Sequence, residues 1–189
     1  MLLVEEAHLP MTISVPGITD AQFQQLCEQY ADCQVEYTSE GELLVMPPTD
    51  PKTSWRNLWI ASQLMAWAMK SGQGLSTESS AGFHLPDGSR LSPDAAWISR
   101  ERLSRRIACP EFVIELLSPT DRPNKTRAKM LEWISNGALL GWMIDPRKRT
   151  VTIFRPNQEP EFKTNLAELA GEGPVEGFLL DLKPVWEPL

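Results

Sequence analysis

Glu111-Phe112-Val113-Ile114-Glu115-Leu116-Leu117 is the stretch from which the rest of the chain is read. Apolar residues occupy both alternating faces, so the segment predicts a strand buried inside a sheet. Glu115 is out of place there. An isolated ionised carboxylate in such a strand costs on the order of several kcal/mol unless it is paired or bound to a cation.

Upstream, Asp94 follows Pro93 and precedes Ala95-Ala96-Trp97-Ile98, a second apolar strand whose alternation sets Asp94 with Ala96 and Ile98. If the two strands are neighbours, Asp94 and Glu115 converge at one end of the sheet. They would then bind Mg²⁺ or Mn²⁺ with a strand carbonyl completing an oxygen set. A plainer arrangement stays open, with Glu115 paired to an arginine and Asp94 capping a turn.

Downstream, Ser118-Pro119-Thr120-Asp121 ends the Glu115 strand and caps a helix over about 122–136, which Asn136-Gly137 stops. Met130, Trp133, Ile134 and Gly137 recur at helical spacing and mark its packed face. Lys129 lies one residue off that stripe, so its stem can run along the sheet to a water or a phosphate at the site. A surface pair with Glu132 is the alternative.

The flanking segments complete a mixed α/β pattern. Residues 1–18 read as an extended, partly loose lead-in. Thr19-Asp20-Ala21-Gln22 opens a short amphipathic helix through a capping box, and CQVEY and ELLVM form a hairpin around Gly41. Pro47, Pro48 and Pro51 close the hairpin. A helix from Thr53 or Ser54 to about Lys70, apolar nearly all round, predicts a buried helix ended by Gly72. Residues 75–98 read as two strands joined by Pro86-Asp87-Gly88. LLGWMID and TVTIFR are two more, and GFLLDL is a last apolar patch before Pro184.

At 189 residues, 42% of them hydrophobic, the chain matches one ordinary domain that needs no staple. Cys27, Cys33 and Cys109 lack metal-ligand spacing, and His84 has no histidine or cysteine near it, which excludes structural zinc and disfavours a nucleophile dyad. MLLVEEAHLP is not a secretory signal, and the window 55–69 is too short and polar to span a bilayer, so a cytoplasmic location is expected. A net charge of −7 argues against bulk attraction to nucleic acid. Yet residues 100–149 hold eleven of the 18 basic residues against six acids, among them Arg100, Arg102, Arg105, Arg106, Arg122, Lys125, Arg127 and Lys129. Phosphate contact and an ordinary solvated face both fit this run.

Together, Pro93-Asp94, Glu115 followed by Leu116-Leu117-Ser118-Pro119, and Lys129-Met130 on a helix resemble the PD-(D/E)XK nuclease superfamily. GELLVMPPT, Asn57, SSAGFHLPDG, SPDAAW, PEFVIELLSPTD, KMLEWISNG and LGWMIDP narrow the resemblance to the Uma-type family of restriction-endonuclease-like proteins, long filed as a domain of unknown function. The resemblance implies a restriction-endonuclease-like core of helix, three strands, helix and strand around one mixed central sheet, spanning 53–155. An N-terminal helix and hairpin (19–48) would precede that core and an extension (156–189) follow it. It further implies a Mg²⁺- or Mn²⁺-dependent endodeoxyribonuclease, with Asp94, Glu115 and the Leu116 carbonyl as ligands, Lys129 at the attacking water, DNA as substrate and a homodimer as one arrangement left open. The superfamily's usual lysine position, two after the acidic residue, is Leu117 here, so the following helix must supply Lys129. A histidine common in relatives before the first core helix is replaced by Thr53-Ser54. Glu42 and Glu78 stay open as outer members of the site. So do a nuclease-like module that only binds DNA or a protein, and a metal-dependent hydrolase of another phosphate substrate.

Overall fold

The structure is a computed structural model that describes residues 9–188. In chain order it begins with β1 (Met11–Ser14), α1 (Asp20–Gln29), β2 (Gln34–Tyr37) and β3 (Glu42–Met46). The capping box is present: Thr19 accepts from the Gln22 amide at 3.3 Å, and Gln22 accepts from the Thr19 amide at 2.9 Å. Gly41 turns the hairpin at φ +80°, in the left-handed region a glycine enters freely. The lead-in is in part a strand, because β1 pairs antiparallel with β3 and tucks Met11 and Ile13 partly away from water. The expected looseness of residues 1–8 concerns residues outside those described.

α2 (Pro51–Ser71) starts earlier than its sequence predicts. Asp50 caps it, accepting from the Lys52 and Thr53 amides, and Pro51 takes the first helical position, where a missing N–H does no harm. Gly72 ends it at φ +65°. The helix is not buried all round. Thr53, Asn57, Ile60, Leu64 and Ala68 face the sheet, whereas Leu58 is 68% and Met69 77% exposed. Its apolar residues surround the axis, but the sheet covers one side and the C-terminal segment only one flank.

Then follow β4 (Gly74–Glu78), β5 (Phe83–His84), β6 (Arg90–Leu91), β7 (Ala95–Ser99), the single turn α3 (Arg100–Leu103), β8 (Phe112–Leu116) and α4 (Pro123–Ser135). The two strands expected over 75–98 are thus four. Pro86-Asp87-Gly88 turns the small β5–β6 hairpin, which joins the N-terminal sheet through Tyr37 and Arg90. The expected cap of α4 is also different. Asp121 accepts from the Ser118 amide at 2.7 Å and closes its own turn, leaving Arg122 at the cap position with no side-chain bond. The chain ends with β9 (Leu140–Asp145), β10 (Thr150–Phe154), β11 (Glu161–Thr164), β12 (Glu168–Ala170), β13 (Leu179–Asp181) and α5 (Lys183–Trp186).

The central sheet runs β11-β10-β9-β8-β7-β4. It is mixed: β8 and β9 are parallel, connected over the sheet by α4, and the other pairs are antiparallel. The N-terminal sheet, β1-β3-β2-β6-β5, and the β12–β13 pair are separate. On one face of the central sheet, Ile60 and Leu64 of α2 meet Trp97, Phe112, Ile114, Trp142 and the C-terminal Phe178. On the other, Met130 and Trp133 of α4 meet Val113, Ala96 and Met143. Alternation along β8 therefore sends Ile114 toward α2 and Glu115 toward α4.

Candidate active site

β7 and β8 pair with Ala95 opposite Ile114, and one further step in that register sets Asp94 beside Glu115. The two carboxylates do converge. Asp94 stands immediately before β7, where its Oδ2 accepts from the Leu116 amide at 2.7 Å and its Oδ1 from Asn57 Nδ2 of α2 at 2.7 Å. Glu115 is 5% exposed, and its Oε1 accepts from the indole N–H of Trp133 at 2.8 Å. Lys129 lies one turn before Trp133 on α4, so both side chains reach Glu115 from the same helix face.

Lys129 decides the alternatives that the sequence left open. Its Nζ lies 3.0 and 3.1 Å from the two oxygens of Glu115, and it donates to the carbonyl of Ser92 and to Glu36 Oε1, each at 2.8 Å. The partner of Glu115 is therefore this lysine and not an arginine, and Glu132 accepts from the Ser39 amide instead.

Glu36 is a member of the site that sequence reading missed. It lies on β2, is 2% exposed, and also accepts from the Ser92 amide at 2.9 Å. Between Val35 and Tyr37 in a hairpin, its alternation reads as solvent-facing. Only the packing of α4 and the Ser92 segment against β2 covers it. The signal that points to it is Lys129 itself: a cation laid along the sheet calls for counter-charge beyond Glu115 alone. Glu42 and Glu78 make no bond to this cluster among the described residues: Glu42 starts β3 opposite Ser14, and Glu78 accepts from Ser79 and the Ser80 amide.

Burial dominates the electrostatics. It pushes the Asp94 carboxyl up to about 6 against the Leu116 amide and Lys129, which favour its charged form. Burial likewise pushes Glu115 up to about 8; Lys129 opposes this, and the nearby Asp94 and Glu36 charges add to it. For Lys129 burial acts against the ammonium, but Glu115 and Glu36 outweigh it and raise the group above the ordinary lysine value.

Three carboxylates thus face one ammonium, a deficit of two positive charges when all are ionised. That deficit, and a donor set of hard oxygens on Asp94, Glu115 and the Leu116 backbone, fit a divalent cation of the Mg²⁺ or Mn²⁺ type. Among the described residues, the buried Oδ1 of Asn57, whose amide nitrogen holds Asp94, has no hydrogen-bond partner. Among the described residues no group of three or more His, Cys, Asp or Glu is placed to hold a metal ion, so any ion here would rest on two carboxylates and water. Mg²⁺ commonly uses one or two carboxylates and keeps several waters.

The basic run is divided by the fold. Arg102 is tied to Glu111 and to the carbonyls of Cys109 and Gly137, Arg105 to Glu101, and Arg106 to Asp20. Arg127 stacks over Phe154. Arg100, Arg122 and Lys125 are exposed and form no ion pair among the described residues, and Lys125 lies one turn before Lys129 on α4. His84 is 3.9 Å from Asp20, away from the centre, and burial pushes the Cys109 thiol up to about 12, unsuited to nucleophilic work.

Residues 20–183 match the profile of the Uma2 family, described as "Putative restriction endonuclease". The chain belongs to this family. Among solved structures, a protein from Anabaena variabilis described as "a putative nuclease belonging to DUF820" is similar to this Uma2-family chain with a TM-score of 0.77 and 24% identity. The match covers 90% of this chain and 98% of the other, and shows a shared fold. No curated protein matches. Among the described residues of the Uma2-family protein, no helix is long and apolar enough to cross a membrane.

Proposed function

We propose that this Uma2-family protein is a divalent-metal-dependent endonuclease that hydrolyses phosphodiester bonds in DNA. The observation that carries the reading is the meeting of buried Glu115 with half-buried Asp94 and Lys129 where β7, β8 and α4 come together. Asp94, Glu115 and the Leu116 carbonyl would hold Mg²⁺ or Mn²⁺. When bound, such an ion offsets charge developing on the phosphate and makes water a better nucleophile near neutral pH.

The chain's own groups do the rest. The Leu116 amide and Asn57 fix both oxygens of Asp94, so the carboxylate is aligned before any ligand arrives. Trp133 fixes Glu115 in the same way. Lys129 donates to the attacking water or to a phosphate oxygen, and Arg122 and Lys125, exposed at the start of α4, contact backbone phosphates.

The test is nicking of supercoiled plasmid with Mn²⁺ or Mg²⁺ and with EDTA. Asp94→Ala should lower the rate by about 100-fold or more. A wild-type chain that never cuts, or an Asp94→Ala variant that cuts normally, overturns the proposal. An unchanged melting temperature at saturating Mn²⁺ would mark a binding module instead, since a ligand of the native state must raise it.

A further inference from the structure

We infer that Glu36 is a positioning residue: with the Ser92 carbonyl it anchors two of the three N–H donors of Lys129, so that the third passes from Glu115 to the reacting phosphate or water when a cation engages Glu115. The inference rests on the endonuclease reading and adds to it a residue from the N-terminal sheet.

An ammonium has three donors. Here one goes to Glu36 Oε1 and one to Ser92 O, both at 2.8 Å, while the remaining contact is spread over the two oxygens of Glu115 at 3.0 and 3.1 Å. The shared contact is the longest and the least directed, so it is the first to yield. Glu36 is itself held by the Ser92 amide at 2.9 Å, and the same residue's carbonyl takes the second N–H. Ser92 lies two residues before Asp94, which ties this anchor to the strand end that carries the other carboxylate.

The chemistry requires such a device. A lysine paired only with Glu115 would neutralise the carboxylate that a cation needs, and it would be expelled from the site when the cation arrived. With Glu36 balancing its charge, Lys129 stays in place, Glu115 is left to the cation, and the freed N–H turns to the reacting group. The anchor comes from β2, outside the central sheet, so the N-terminal sheet contributes directly to the reaction centre.

The test is a double-mutant cycle on the full chain, with Mn²⁺ alone as the probe in calorimetric titration. Glu36→Gln keeps the side-chain shape and an acceptor but removes the charge, and its melting temperature reports folding. It should weaken Mn²⁺ binding by about tenfold, because Lys129 then settles on Glu115, as loss of a supporting contact does at metal sites. In a Lys129→Met background the same change should shift Mn²⁺ affinity by less than about threefold, since Glu36 acts through the lysine. Plasmid nicking by Glu36→Gln should show a kcat lowered about tenfold with KM for DNA nearly unchanged, the pattern of an interaction made only in the transition state.

Equal weakening in both backgrounds would make Glu36 a direct ligand or a distant charge, and unchanged Mn²⁺ affinity with a lowered melting temperature would make it a packing residue. Either result overturns the inference and leaves the endonuclease reading standing. A wild-type chain that neither binds Mn²⁺ nor cuts DNA overturns both.

Discussion

In the absence of metal, the protein is expected to lose stability as the pH rises from 5 to 8, opposite to the trend of a protein whose carboxylates are all favourably paired. Glu115 is raised from 4.5 to about 8 and Asp94 from 3.8 to about 6, chiefly by burial. Between the unfolded and folded values the native state holds a proton that the unfolded chain has released. The unfolding free energy therefore falls with pH by about 1.4 kcal/mol per unit for each such group. Asp94 acts over roughly pH 4–6 and Glu115 over roughly pH 4.5–8. Their integrated losses are on the order of 3 and 5 kcal/mol.

Lys129, raised above the ordinary lysine value, contributes stability that is constant throughout this range and is lost only at higher pH. Asp20, Asp50, Asp87 and Glu161 are held below the usual carboxylate range. The stability they contribute is lost as the pH falls through their lowered values, below the window in question. Thermal unfolding in EDTA at half-unit steps from pH 5 to 8 measures the sum. At about 2–4 °C per kcal/mol for a domain of this size, the melting temperature should drop by roughly 3–6 °C per pH unit between pH 6 and 7.5. Glu115→Gln should flatten that slope. A melting temperature that is flat or rises over this interval in the wild-type chain would refute the claim that these carboxylates are buried without sufficient compensation.

Three other outcomes are expected. Trp133→Phe deletes the indole N–H that Glu115 accepts and should lower stability in urea unfolding at pH 8.5 by about 1.5–3 kcal/mol, the usual range for a bond to a charged group. Asn57→Leu frees Oδ1 of Asp94 and should weaken Mn²⁺ binding by about 10–100-fold in calorimetry while the circular dichroism spectrum stays native. Replacing Arg122 and Lys125 together by alanine should weaken DNA binding similarly for all sequences and reduce the salt slope by roughly 2, whereas an unchanged slope would remove both from the phosphate path.

Much of the site was legible because its members broke local rules. Glu115 interrupts an apolar strand, Asp94 opens another, and Lys129 sits beside the packed stripe of α4. Each anomaly needed a partner: Glu115 and Lys129 proved to be partners of each other, while Asp94, one register step from Glu115, is held by the Leu116 amide and Asn57. Glu36 broke no rule: a carboxylate between two apolar residues is what a hairpin with one wet face shows. Its burial depends on α4 and the Ser92 segment, both more than fifty residues away in sequence. Glu42 and Glu78, equally acidic strand positions, make no bond to the cluster among the described residues: Glu42 is half-buried at the start of β3 and Glu78 is exposed at the end of β4.

The sequence by itself determined the elements and the faces they bury. The period-2 run around Glu115, the helical stripe around Trp133, the capping box at Thr19 and the left-handed glycines are local in origin, set by backbone geometry and side-chain periodicity. Tertiary structure alone decided which flank of α2 is exposed, how the short strands over 75–98 divide between two sheets, and which carboxylates share Lys129. Those outcomes depend on distances between segments far apart in the chain, where the balance of burial against charge is set by neighbours that no local pattern specifies.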